Sequence, residues 1–169
     1  MPDRWVTMSN PRWPGGPIKL LILDVDGTLT DGGMYYSAEG LTIKRFDVKD
    51  GLGLVRLREA GVEVAIISAD QSPITQTRAD KLGIERVVLG CEDKGCAVRE
   101  MLAELGMAPE QACYMGDDVT DLPAFREVGH SAAPADAVPQ VLAEAEYVAH
   151  APGGRGAVRE VCDLILAGL

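Results

Sequence analysis

From Ile18 onward the chain repeats one pattern: a short unbroken apolar run, a polar or glycine-rich break, then an amphipathic stretch. IKLLILD (18–24) is the first such run and ends in acid and glycine, as expected of a central parallel strand covered on both faces. The runs recur as VEVAIIS (62–68), RVVLG (86–90), ACYMG (112–116), HSAA (130–133) and YVAH (147–150). Between them, LGLVRLREAG (52–61) carries Leu54, Val55 and Leu57 on one face and stops at glycine. Ser72-Pro73 reads as an N-cap followed by proline at the first helical position, opening PITQTRADKLG (73–83). GCAVREMLAELG (95–106) gathers Val98, Met101, Leu102 and Leu105 on one side. Strands alternating with helices of this length predict an α/β fold: a single doubly wound, Rossmann-like parallel sheet with helices on both faces. One segment breaks the alternation. GGMYYSAEGLTIKRF (32–46) has β-rich arms around Ala38-Glu39-Gly40, which predicts a hairpin projecting after the first strand, near 33–46.

Doubly wound sheets bind ligands at the carboxyl ends of their strands, and four such ends here carry polar residues that belong together. The first gives Asp24-Val25-Asp26-Gly27-Thr28, where residues two apart in extended chain point the same way. The second gives Ser68. The third leads to Lys94 at the head of a helix. The fourth gives Gly116-Asp117-Asp118, with Asp121 one turn later. Clustered carboxylates repel one another unless a hard cation sits among them, and Mg²⁺ takes one or two carboxylates plus phosphate oxygens. One carboxylate can attack phosphorus, a second can move the proton, and a Lys and a Ser can hold the phosphoryl oxygens. A calcium loop starting at Asp24 fails, because Leu29 stands where the glycine is needed and Tyr35 where the final acid is needed.

Composition narrows the partners. Sixteen basic against twenty-six acidic residues give a net charge of −10, which argues against a nucleic-acid surface or an anionic membrane as partner. No apolar run approaches the ~20 residues of a spanning helix. The start, MPDRWVTMSNPRWPGGP, has no signal-peptide core, so a cytoplasmic protein is expected. Residues 1–17 hold four of the ten prolines and both tryptophans without periodicity, and read as an arm preceding one domain over 18–169. Cys91, Cys96, Cys113 and Cys162 fit neither a zinc site nor a disulfide scaffold and are expected as reduced thiols. His130 and His150 have no partner in sequence that points to catalysis.

DVDGT (24–28), Ser68, Lys94 and GDDVTD (116–121) resemble the four motifs of the haloacid dehalogenase superfamily of phosphatases. The resemblance implies Asp24 as nucleophile and Asp26 as general acid/base. It implies Mg²⁺ held by the Asp24 carboxylate, the Asp26 main-chain carbonyl and Asp117. Ser68 and Lys94 would hold the phosphoryl group, with Gly27 and Thr28 beside it, and Asp118 and Asp121 would support metal and lysine from behind. Only 43 residues separate Asp24 from Ser68 and 25 separate Ser68 from Lys94, which leaves no room for a cap domain.

Within that superfamily the chain resembles the capless phosphatases of 3-deoxy-D-manno-octulosonate 8-phosphate and of sialic-type nonulosonate 9-phosphates. The stretches that carry this are DGTLTDGGMYY (26–36), FDVKDGLGL (46–54), APADA (133–137) and PGGRGAVREVCDLIL (152–166). The resemblance implies a phosphorylated sugar acid as substrate and a homotetramer built through the hairpins. It further implies that Gly153-Gly154-Arg155-Gly156 forms a lid given to a neighbouring site, with Arg155 near the sugar acid. The octulosonate phosphatases usually continue the second motif as Thr-Gly-Arg, whereas this chain reads Ser68-Ala69-Asp70. An acid there, with Arg78 and Lys81 following, is similar to the nine-carbon phosphatases, and the three would line one rim. Two other readings stay open: a phosphatase of another sugar phosphate, and a non-catalytic oligomerisation module associated with a sugar-acid cytidylyltransferase.

Overall fold

The structure is a computed structural model that describes residues 17–169. The expected arm, with Trp5 and Trp13, lies outside the described residues apart from Pro17. Six parallel strands form the central sheet: β1 (Leu20–Leu23), β4 (Glu63–Ile67), β5 (Arg86–Val88), β6 (Ala112–Met115), β7 (His130–Ala133) and β8 (Tyr147–Val148). Their spatial order is β5-β4-β1-β6-β7-β8. The chain winds outward from β1 in one direction, then returns to build β6 on the other side. That reversal opens a crevice at the carboxyl ends of β1 and β6.

Helices cover both faces. α1 (Val48–Glu59), α2 (Pro73–Leu82) and α6 (Ala157–Ala167) pack with Leu21 and Leu23 of β1 on one side. α3 (Lys94–Leu105), α4 (Leu122–Phe125) and α5 (Pro139–Glu144) pack with Leu20 and Ile22 on the other. This alternation explains why β1 reads as a continuous apolar run: every side chain is buried, whichever face it meets. Each fully buried Leu or Ile contributes about 1.5–3 kcal/mol relative to exposure.

Start and stop signals act locally. Ser72 accepts from the Ile74 N–H and Asp93 from the Cys96 N–H, capping α2 and α3, while Gly83 and Gly106 end them in the left-handed conformation. α1 starts at Val48, four residues before its apolar periodicity, because Asp47 caps it by accepting from the Lys49 N–H. Gly51 and Gly53 hide that first turn from a periodicity reading. A methyl at Gly53 would lie 2.9 Å from Arg159 Cδ, so this glycine lets α1 approach α6 closely. Asp50 adds a second tie. Its buried carboxylate accepts from the Gly156 and Arg159 N–H groups, capping α6 from a neighbouring helix.

The hairpin is β2 (Thr30–Ser37) paired antiparallel with β3 (Gly40–Phe46). It begins two residues before the sequence suggests and shows no pairing to the main sheet. No helix among the described residues is long and apolar enough to cross a membrane.

Candidate active site

The register of the three central strands sets the site. Leu23 of β1 stands beside Ile66 of β4 and Met115 of β6, so Asp24, Ser68 and Asp117 leave the sheet side by side. The segment 25–29 then makes a single irregular turn, in which Gly27 adopts a φ of +92°. A methyl at Gly27 would lie 2.0 Å from Asp117 Oδ2, so only glycine admits the Asp117 carboxylate here. Thr28 Oγ1 donates to Asp117 Oδ1 at 3.1 Å. Ser68 is buried, and its Oγ accepts from the Asp70 N–H.

Lys94, at the first turn of α3, is buried and donates to Asp24 Oδ1 at 2.8 Å and to Asp121 Oδ1 at 2.6 Å. Asp121 is saturated. Its Oδ1 also accepts from the Tyr114 hydroxyl at 2.8 Å, and its Oδ2 accepts from the Asp117 and Asp118 N–H groups. Four donors hold it as a bracket between α3 and the loop after β6. Asp118 is exposed and caps the turn 119–121 by accepting from the Val119 N–H.

One oxygen from each of Asp24, Asp117 and Asp121 lies within 4.8 Å of the others. Burial pushes the Asp24 carboxyl up to about 6, with Asp121 adding to the rise and Lys94 opposing it. Burial, Asp24 and Asp121 push Asp117 up to about 8. Both shifts reflect one deficit: three carboxylates share a single ammonium. A hard cation is what such a donor set lacks, so the residues fit a divalent metal. Asp24 and Asp117 are the ligands the arrangement leaves available, since Asp121 already spends both oxygens on N–H, O–H and ammonium donors.

The four motif groups thus come together. The expected rim of Asp70, Arg78 and Lys81 does not. Asp70 stands at the cluster's mouth, but its carboxylate pairs with Lys44 at 2.6 Å. Arg78 turns toward α1, donating to the Asp47 carbonyl and stacking over the Phe46 ring at 5.5 Å. Lys81 is exposed in the last turn of α2, about 12 Å along the helix from its start at the strand ends.

The Gly153–Gly156 segment lies beside the Asp24–Gly27 turn. It is seated against its own chain: Gly154 N–H donates to the Thr28 carbonyl at 3.0 Å, and Gly153 N–H to Asp136 Oδ1 at 2.8 Å. A methyl at Gly153 would fall 1.8 Å from the Gly27 carbonyl oxygen. Absence of Cβ atoms therefore lets this loop press on the Asp24–Gly27 turn in cis. Arg155 remains exposed, 3.6 Å from Asp31.

Sequence reasoning missed Lys44. Its side chain is fully buried and its ammonium bridges Asp26 and Asp70. Burial works against its charge, but the two carboxylates outweigh that and raise it above the usual lysine value. Only its place on the face of β3 opposite Ile43 hints at this, and a lysine on a hairpin ordinarily signals solvent. Tyr114 looks in the sequence like an ordinary strand residue. His130 and His150 pair with Glu146 and Glu160, away from the cluster.

Residues 47–129 match the model of the haloacid dehalogenase-like hydrolases. The chain is 48% identical over 149 residues to the 3-deoxy-D-manno-octulosonate 8-phosphate phosphatase of Yersinia pestis, covering 88% of this chain and 80% of that protein. Among solved structures it resembles the cobalt-bound enzyme of that kind from Haemophilus influenzae. There the TM-score is 0.87 at 44% identity, over 89% of this chain and 88% of the other. It also resembles the Moraxella catarrhalis enzyme in complex with magnesium, phosphate and the sugar acid KDO. The TM-score is 0.88 at 41% identity, over 91% of this chain and 88% of the other. With its six-stranded parallel sheet, antiparallel hairpin and acidic cluster, the chain belongs to the haloacid dehalogenase-like hydrolases, as a phosphoric monoester hydrolase.

Proposed function

We propose that the protein hydrolyses 3-deoxy-D-manno-octulosonate 8-phosphate with Mg²⁺ through an aspartyl-phosphate on Asp24. The observation that carries this is the convergence of Asp24, Lys94 and Asp117 at the carboxyl end of β1. The substrate follows from relatives that share 41–48% of their residues with this chain, one of them in complex with KDO and phosphate.

In this reading the Asp24 carboxylate attacks phosphorus while the bond from phosphorus to the sugar oxygen breaks. Asp26 gives its proton to the departing oxygen. Asp26 then takes a proton from water, whose oxygen attacks the aspartyl-phosphate and releases inorganic phosphate, restoring Asp24. Lys94 and Ser68 hold phosphoryl oxygens, and the Asp24–Gly27 turn lets the backbone come close to them. Asp24, the Asp26 carbonyl and Asp117 would hold Mg²⁺, which when bound supplies positive charge against the phosphoryl oxygens. Asp121 keeps Lys94 aimed at Asp24. Arg155, exposed beside the Asp24–Gly27 turn, offers a cation to the sugar acid's carboxylate. Self-association through the hairpin, up to a homotetramer, accompanies this reading, because Met34, Tyr35, Tyr36 and Ile43 expose 41–68% of their surface there.

A phosphate-release screen with Mg²⁺ tests the proposal. It should compare octulosonate 8-phosphate, nonulosonate 9-phosphates and hexose phosphates. The octulosonate ester should give the highest kcat/KM, and Asp24→Asn should abolish turnover while leaving the circular dichroism unchanged. Equal, poor rates on every ester would overturn the substrate, and a variant retaining wild-type turnover would overturn the nucleophile.

A further inference from the structure

Lys44 is a charged side chain of the hairpin that turns inward, to Asp26 and Asp70 beside the acidic cluster. Its side chain has no exposed surface, yet its Nζ lies 2.7 and 2.9 Å from the two Asp26 oxygens and 2.6 Å from Asp70 Oδ2. Its partners are 24% and 33% exposed, so the ammonium is a covered bridge beneath two carboxylates that face the opening. Burying an ammonium is costly unless opposite charge meets it at good geometry, and here two carboxylates do. Asp26 sits on an extended residue just before the positive-φ Gly27, in a turn that does not by itself fix a side-chain direction. Among the described residues no other side chain donates to its carboxylate. Without Lys44, Asp26 and Asp70 would repel each other across the vacated space.

We infer that Lys44 is a positioning residue that holds the Asp26 carboxyl where it exchanges a proton with the leaving oxygen, and that Asp70 anchors Lys44 rather than contacting the sugar acid. This rests on the reading of Asp26 as acid/base. It gives the hairpin a part in the chemistry: β3 carries Lys44, and the adjoining Arg45 donates to the Gly154 carbonyl at 2.6 Å, so one strand ties both flanks of the Asp24–Gly27 turn.

The dependence on leaving group separates positioning from mere structural support. Octulosonate 8-phosphate expels an alkoxide that must be protonated, whereas p-nitrophenyl phosphate expels a phenolate that need not be. With kcat/KM reporting phosphoryl transfer to the enzyme, loss of proton delivery lowers the first and spares the second. Misplacement by an ångström suffices for about 10²-fold.

Lys44→Met should lower kcat/KM for octulosonate 8-phosphate by about 10²-fold and for p-nitrophenyl phosphate by less than about 10-fold. Asp70→Asn should show the same selectivity with a smaller loss, and Lys44→Arg should recover part of the activity on the sugar ester. Equal losses on both substrates, or none, in Lys44→Met would overturn the inference. So would an Asp70→Asn variant whose KM for the sugar ester rises without leaving-group selectivity. Asp26→Asn is the reference. If it lacks the selective loss, the acid/base assignment itself fails. If it shows that loss while Lys44→Met loses both activities equally, the inference alone fails. Should circular dichroism show Lys44→Met unfolded, the half-exposed Asp70 makes Asp70→Asn the deciding variant.

Discussion

At the scale of single residues, the cluster is organised by which carboxylate already has its donors. Asp121 has four and serves as a bracket; Asp24 and Asp117 have too few, and burial pushes both upward, Asp117 to about 8. A bound divalent ion would remove that strain, so Mg²⁺ at a hundred times its dissociation constant should stabilise the fold by about 2.7 kcal/mol. For a domain of this size that raises Tm by about 5–10 °C. Asp117→Asn should abolish the Mg²⁺-dependent rise, and should equal or exceed the wild type's Tm in chelator because a repelling charge is gone. A thermal melt with and without Mg²⁺ reads both. A variant that keeps the full rise would remove Asp117 from the metal site.

At the scale of elements, the site depends on segments that press on it from behind. The loop before α6 packs on the Asp24–Gly27 turn through Gly153 and Gly154, and Glu160 of α6 holds the strand that precedes that loop. Burial pushes the Glu160 carboxyl up, but the Tyr147 hydroxyl and the His150 ring and N–H outweigh it, so it titrates below the usual glutamate range. A carboxyl depressed in the folded state adds stability that is whole above its unfolded value and fades as pH falls through its folded one. The Tm gap between wild type and Glu160→Gln should therefore be full at pH 7 and shrink below about pH 4.5. A gap independent of pH would mean that shape, not charge, makes the contact.

At the scale of the whole molecule, a chain of net charge −10 must admit an anionic ester to an acidic site. Lys94, buried at the strand ends, offsets part of that charge through little water, and a bound divalent ion would offset more. The hairpin stands off the sheet with Tyr35 57% and Tyr36 68% exposed, and Val48 and Leu52 of α1 are exposed as well. Exposed apolar side chains of that kind would suit a contact face between copies of the chain. Sedimentation equilibrium at micromolar concentration should show an assembly in the wild type that Tyr36→Lys shifts toward monomer. A monomeric wild type would exclude the assembly.

The sequence by itself determined the strand cores, the Ser72 cap of α2 and the four motif ends, because these depend on local rules: apolar runs of strand length, Ser-Pro before a helix, acids two apart. It also placed Asp24, Ser68, Lys94 and Asp117 at one end of a sheet, since a parallel doubly wound fold leaves them no other end. Tertiary structure alone decided the pairing of charges. Which partner Asp70 pairs with, where Arg78 turns and which turn Gly153 packs against all depend on distances between segments far apart in sequence. Side-chain type gives a residue's chemistry, but a charge's role is set by the counter-charge that folding puts within 3 Å of it, and for Lys44 that contact spans 18 and 26 positions along the chain.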